Sequence, residues 1–375
     1  MLLQAATLVT GDEVLVDGWV DVRAGHVHAV GTGEPPAPVD HPLGDAVLVP
    51  GFVDLHVHGG GGHDVTARDA DDVLATRAVH LAHGTTTAMA SLVTLPPDRL
   101  LRSVALLAEL VEGDAFAGIH LEGPWLSPAR AGAHDVRLLT APDPAQVDAA
   151  LAAGRGTVRM VTLAPELPGG LDAVRRVAGA GALAAVGHTD ADHATTCAAI
   201  EAGARVATHL FNAMPPVHHR APGPVIALLG DPRVTVEVIA DGVHQHPAVT
   251  AAVLAAAGPD RVVVVTDAMA ATGMPDGRYL LGDLPVVVEG GTARRADDGA
   301  IAGGTATMDV LLRTVAGTPA GLLGAVRAAA TVPARLLGRP DVGRLAPGCR
   351  ADAVVLDRAL RVRGVLHRGT WHVGP

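Results

Sequence analysis

A chain of 375 residues with 49% hydrophobic and 18% charged content has enough apolar side chain for one large core or two unequal ones, and is globular rather than disordered. Its 28 basic and 39 acidic residues leave a net charge of −11 with no basic cluster against it, which excludes nucleic acid as a partner. Every basic residue is Arg, so Schiff-base, P-loop and carboxylated metal-bridging lysines are excluded as well.

The N-terminus, MLLQAATLVTGDE, has no basic leader, and no apolar run is long enough to span a bilayer, so a cytoplasmic protein is expected. Residues 1–49 read as short alternating strands (Val14 to Val16, Trp19 to Val22, Val27 to Val30) separated by Gly and Asp-Gly turns, with Pro35, Pro36 and Pro38 marking a loop. The stretch 342–375 has the same character, and the two ends are expected to pair into one small β-sandwich domain. Between them, residues 50–341 alternate strand-length apolar runs with Ala-rich helical stretches. The runs are 52–58, 85–93, 116–123, 158–166, 183–189, 205–212, 234–241 and 261–268. Helical stretches fall at 70–83, 97–111, 171–179 and 193–202, so the expected fold class is α/β, a (β/α)8 barrel, with a doubly wound open sheet as the alternative. The two cysteines, Cys197 and Cys349, lie in no zinc-like spacing and argue against a disulfide framework.

Polar residues close most of these runs, and in a barrel of this kind the C-terminal strand ends carry the active site. His56 and His58 alternate about Val57, which puts both imidazoles on one face. Glu122 closes the third run, His188 the fifth, His209 the sixth and Asp267 the eighth. A single strand-end His is usually an ordinary polar residue, but five such strand ends converging on one barrel mouth make a ligand set for zinc, iron or a similar divalent ion.

The segments PGFVDLHVHGGGGHDV (50–65), HLEGP (120–124), GHT (187–189), THLFNAMPP (208–216), DGVH (241–244) and VTDA (265–268) resemble the N-acetylglucosamine-6-phosphate deacetylases, and the likeness runs nearly end to end. The resemblance implies a principal metal site of Glu122, His188 and His209, with His56 and His58 holding a second ion that shares Glu122; one and two ions both stay open. It implies Asp267 as the proton shuttle, with metal contact as a further role. Substrate contacts are implied at His134, His244, Asn212, Ala213 and Arg220, the last three as the phosphate site, and near Ala302 and Gly303 in a covering loop, 300–308. Trp125 reads equally as a pocket wall or a core anchor, and Gly59 to Gly62 as a tight turn beside the metal rather than a phosphate loop.

The expected activity is deacetylation of an amino-sugar 6-phosphate in amino-sugar catabolism, by a homodimer with small-molecule substrates only. The galactosamine epimer is the nearest alternative, and a scaffold that has lost activity the more distant one. Cyclic-amide hydrolases, which bridge two metals with a carboxylated Lys, are excluded by the missing lysines.

Overall fold

The computed structural model describes residues 1–375. The strands Leu2–Val9, Val14–Arg23, His26–Thr32, His41–Pro42 and Val47–Pro50 join Ala353–Leu356, Val362–His367 and Thr370–Val373 in one continuous eight-stranded sheet. The seam is the antiparallel pairing of Val47–Pro50 with Ala353–Leu356. Trp371, from the last strand, meets His41 edge-on at 5.4 Å, and the backbone N–H of Ala351 donates to Gly25, so the sheet folds across itself. The enclosed core is small and aliphatic, with Leu3, Leu8, Val20, Leu48, Val355 and Leu366 at its centre.

The eight expected runs all form barrel strands, each shorter than its apolar run. Phe52–Asp54 pairs with Thr85–Ala88, and Ala90–Leu92 continues through Ile119–Glu122, Val158–Leu163, Leu183–Val186, Ala204–Ala207, Thr235–Val238 and Val262–Val264, all parallel. A parallel bridge between Val57 and Ala268 brings the last strand back to the first. Asp54 reinforces that closure: its carboxylate accepts from Thr266 Oγ1 at 2.6 Å and from the backbone N–H groups of His56 and Thr266. Valines dominate these strands because both faces are covered. The inward set, including Val53, Leu55, Met160, Val206 and Val263, rests on Val332, Leu337 and Val342, which plug the barrel floor. The outward set forms the largest core, against helices that include Ala70–Ala82, Pro97–Glu112, Gly170–Gly179 and His193–Ala202.

One element was not foreseen. After the eighth strand the chain makes a three-stranded antiparallel meander, Gly277–Leu281, Leu284–Glu289 and Thr292–Arg295. Its second turn is Gly290-Gly291, with φ of +57° and +72°, values that a two-residue hairpin loop of this hand requires and that glycine accepts without strain. The meander packs Leu281, Val286 and Val288 on Val93, Met269 and Ala270, beside the barrel mouth. No helix is long and apolar enough to cross a membrane.

Candidate active site

At the mouth of the barrel, where the strand ladders stop, the chain turns sharply. His188, His209, Phe211, Ala213 and Asp267 all have positive φ, between +28° and +78°, a conformation rare for residues with side chains and found where a site holds its backbone under strain. These turns aim side chains from several strands at one buried cluster.

The cluster is built on Glu122. Its Oε1 lies 3.1 Å from His188 Nε2 and 2.9 Å from His209 Nε2, and those two nitrogens are 3.1 Å apart. Its Oε2 lies 3.4 and 3.1 Å from the Nε2 atoms of His56 and His58, which are 3.0 Å apart and 3.4 and 3.2 Å from Asp267 Oδ1. One carboxylate thus joins two donor sets, and the expected ligands come together on both sides of it.

The tautomers fit a metal. His58 Nδ1 donates to Ser91 O at 2.8 Å and His188 Nδ1 to Arg130 O at 2.9 Å, so in the neutral rings each Nε2 presents a lone pair. Lone pairs facing one another and a carboxylate at about 3 Å repel unless a cation lies among them. Burial disfavours a charged His58, but hydrogen bonds with Asp267 and Glu122 outweigh it and push its pKa up to about 9. His56 is raised in the same way, by Glu122 and Asp267 against burial. The field is one that a proton or a divalent ion satisfies, and the His and carboxylate set suits a divalent metal.

The cluster forms the floor of a cavity of about 260 Å³ lined by His58, Glu122, His134, His188, His209, Asn212, Ala213, His244, Asp267 and Gly303 among others. His134 also approaches Glu122, at 3.4 Å, but its Nδ1 accepts the Thr94 N–H at 3.3 Å, so its Nε2 carries the hydrogen and is a donor, not a ligand. Burial holds its pKa down, near 4, and keeps it neutral. His244 is pinned by Asp241, Nδ1 to Oδ2 at 2.7 Å. Burial opposes protonation of His244, yet that carboxylate outweighs it and raises its pKa. The Asn212 side chain donates to His209 O, and the Ala213 N–H makes no hydrogen bond within the chain.

Two of the residues expected at the substrate are not among those lining this cavity. The turn His218 to Ala221 carries Arg220 outward, where its guanidinium donates to His219 Nε2 at 2.7 Å on the exposed surface, away from the cavity walls. Ala302 is fully buried in the apolar cluster beneath the meander, its N–H spent on Ala293 O, while Ala300, Ile301 and Gly303 face the cavity. Trp125 is core, at 1% exposure. Gly59 forms a tight hairpin beside the site, and a Cβ there would fall 2.5 Å from His63 O.

Sequence reasoning missed a layer under the ligands. His120 is buried edge-on to His56 at 4.5 Å, its ring nitrogens bonded to Ser91 Oγ at 3.0 Å and Thr162 Oγ1 at 2.8 Å. Glu237, fully buried on the seventh strand, lies 3.5 Å from His56 Nδ1. Both are polar side chains inside apolar strands, and that mismatch was the available signal.

An aspartate, a glutamate and four imidazoles gathered at a barrel mouth suit metal-assisted hydrolysis. Residues 47–371 match the amidohydrolase family. The N-acetylglucosamine-6-phosphate deacetylase of Mycobacterium smegmatis, solved as an aspartate-to-alanine mutant in complex with N-acetyl-D-glucosamine 6-phosphate, is 51% identical, covers 100% of this chain and 99% of its own, and superposes with a TM-score of 0.98. The N-acetylgalactosamine-6-phosphate deacetylase of Escherichia coli O157:H7 is 38% identical over 98% of both chains, and the N-acetylglucosamine-6-phosphate deacetylase of Bacillus subtilis 34% identical over 82% of this chain and 80% of its own. With site geometry, whole-chain fold and sequence in accord, the chain belongs to the amidohydrolase family.

Proposed function

We propose that this protein hydrolyses the acetamide of N-acetyl-D-glucosamine 6-phosphate to D-glucosamine 6-phosphate and acetate, as a metal-dependent enzyme of amino-sugar catabolism. The observation that carries this reading is the placement of Asp267 and the Glu122 cluster together on the floor of one cavity. The glucosamine epimer is favoured by the 51% identical relative; the 38% identical galactosamine enzyme makes the other epimer the second reading.

Glu122, His188 and His209 would hold one ion and His56, His58 and Asp267, with Glu122 shared, a second; zinc or iron suits these ligands. A bound ion supplies a water acidified from 15.7 to roughly 7 and a polarised amide oxygen. Asp267 does the rest of the proton work. Burial opposes its ionisation, but His56 and His58 hold its carboxyl below the usual carboxylate range, so at neutral pH it can accept the water's proton and return it to the departing amine. His134 offers a neutral N–H donor, and His244, held by Asp241, a second imidazole on the wall, to orient the sugar and its acetamide.

The cavity walls carry no Arg, although the substrate is a phosphate dianion. Exposed apolar residues stand on loops of the same rim: Val217 at 46%, Val243 at 43% and Met274 at 42%. These features support a homodimer in which Arg220 reaches the phosphate of the neighbouring copy, beside Asn212 and Ala213.

Amine release from both epimeric 6-phosphates, with and without chelator, tests the reading. Chelator-sensitive release with the glucosamine substrate preferred is expected. Release that survives full removal of metal overturns it.

A further inference from the structure

The metal centre has a third carboxylate beneath it. Glu237 stands in the strand Thr235–Val238 between two buried valines and is itself fully buried. Its Oε2 has two polar neighbours, the His209 N–H at 3.4 Å and His56 Nδ1 at 3.5 Å, and its Oε1 has no hydrogen-bond partner. No Arg pairs with it, and a buried carboxylate without a cation is strongly unfavourable. His56 shows the matching deficit: its Nδ1 is buried and, apart from Glu237, has no acceptor.

Two of the other three ligand imidazoles show what belongs there, whereas His209 Nδ1 is without a partner. His58 and His188 each donate Nδ1–H to a backbone carbonyl, and that bond turns Nε2 into the metal-binding atom. His56 has no carbonyl in that position; it has Glu237. At 3.5 Å Glu237 Oε2 is the one acceptor-type atom facing that nitrogen.

We infer that Glu237 is the positioning residue of a second metal centre: its Oε2 accepts Nδ1–H from His56, fixes Nε2 as the donor, and adds the negative charge that holds an ion among His56, His58, Glu122 and Asp267. The inference rests on the two-ion reading above. It explains a buried acid that fold stability does not ask for, since a Val or Leu in this strand would pack without the penalty. It also makes the two donor sets unequal, because Glu237 meets the ring of His56 but, on the His188 side, only the backbone N–H of His209.

The test is metal binding, read apart from turnover. Chelated and dialysed wild type, Glu237→Gln and Glu237→Asp proteins are titrated with Co²⁺, following the visible absorption bands and the bound metal per chain. Wild type should take up two ions. In Glu237→Gln, which keeps size and loses charge, the second should bind about 10–100-fold more weakly, the usual effect of losing a partner behind a ligand, with the first unchanged. Glu237→Asp should recover part of the loss. In a His56→Ala background, Glu237→Gln should weaken the second ion no further, because its route runs through that ring. Two ions bound by Glu237→Gln as tightly as by wild type overturn the inference, as does equal weakening of both, which would mark a merely structural residue. A single ion in wild type overturns the two-ion reading and the inference with it. Should Glu237→Gln fail to fold, Glu237→Asp in the wild-type and His56→Ala backgrounds reads the same coupling.

Discussion

Arg295 ties together two walls of the cavity that are far apart in sequence: its Nη1 donates to the backbone carbonyl of Gly132 at 3.0 Å. Gly132, Ala133 and His134 line one side, while the meander strand that carries Arg295 pairs through Arg294 with Ile301, which lines another. Asp297 holds the rest of the guanidinium in a fork, and the side chain is 12% exposed. A hydrogen bond from a charged group is worth roughly 1.5–3 kcal/mol, discounted here for solvent at the rim. Arg295→Ala should therefore raise KM about 3- to 30-fold with a smaller change in kcat, because His134 loses its backing while Asp267 and Glu122 are untouched. Steady-state kinetics decide: an equal fall in kcat with KM unchanged would place the effect on the chemistry instead.

Asp267→Asn should leave the fold intact and lower kcat by about 10²–10⁴, the usual worth of general acid–base catalysis. Because Asp267 Oδ1 lies 3.2 Å from His58 Nε2, its loss also touches the second donor set. Metal analysis beside the kinetics separates the roles. Metal retained with turnover lost makes Asp267 the shuttle; metal lost in proportion to turnover makes it chiefly a ligand.

How far the site was legible follows from where its residues stand. Glu122, His188, His209 and Asp267 could be read because each ends an apolar run, and the barrel rule says what a polar residue is doing there. Glu237 and Asp54 lie inside such runs, VTVEVIAD and FVDLHVH, where the apolar pattern identifies a strand but says nothing of what an acid in the middle faces. Arg220 shows the opposite limit. Its segment is informative, but the direction of an irregular turn depends on the His218 to Ala221 bridge, which no periodicity reports. The meander escaped notice because its strands are four to six residues long and follow a completed barrel, where a covering loop was a sufficient account.

His80 gives a pH signature. It is buried on the helix Ala70–Ala82, its Nε2–H donates to Gly59 O at 2.9 Å, and its Nδ1 has no partner. Burial lowers its pKa from 6.5 to about 4, despite that bond. Between those values the unfolded chain binds a proton that the folded chain refuses. Stability from neutral His80 is therefore complete above pH 6.5 and lost as pH falls through 4, by about 3 kcal/mol. Urea unfolding at several pH values, with chelator present throughout, should show a shallower decline in His80→Gln than in wild type. Parallel curves would mean that His80 is not the group refusing the proton.

Arg220 points to the last test, which addresses the phosphate and the assembly together. Its guanidinium sits on an exposed turn, out of the cavity of its own chain, while that cavity has His244 and the free Ala213 N–H but no Arg to meet a dianion. A charge-assisted bond to phosphate contributes roughly 1.5–3 kcal/mol, so Arg220→Ala should lower kcat/KM for the 6-phosphate by about 10- to 150-fold. Unphosphorylated N-acetylglucosamine should be unaffected, whereas a folding defect would depress both substrates. If the contact is made across a dimer, Arg220→Ala and Asp267→Asn lie in different chains of the same active site. Co-expressing the two variants then produces mixed dimers in which one site combines the intact Asp267 of one copy with the intact Arg220 of the other. Random pairing should restore about a quarter of wild-type activity, far above either variant alone. An arginine acting within its own chain could restore nothing, because every site with Asp267 would still lack Arg220. Loss of phosphate selectivity without complementation would thus assign Arg220 to its own cavity after a loop movement, and no loss of selectivity would leave the anion to His244, Asn212 and Ala213.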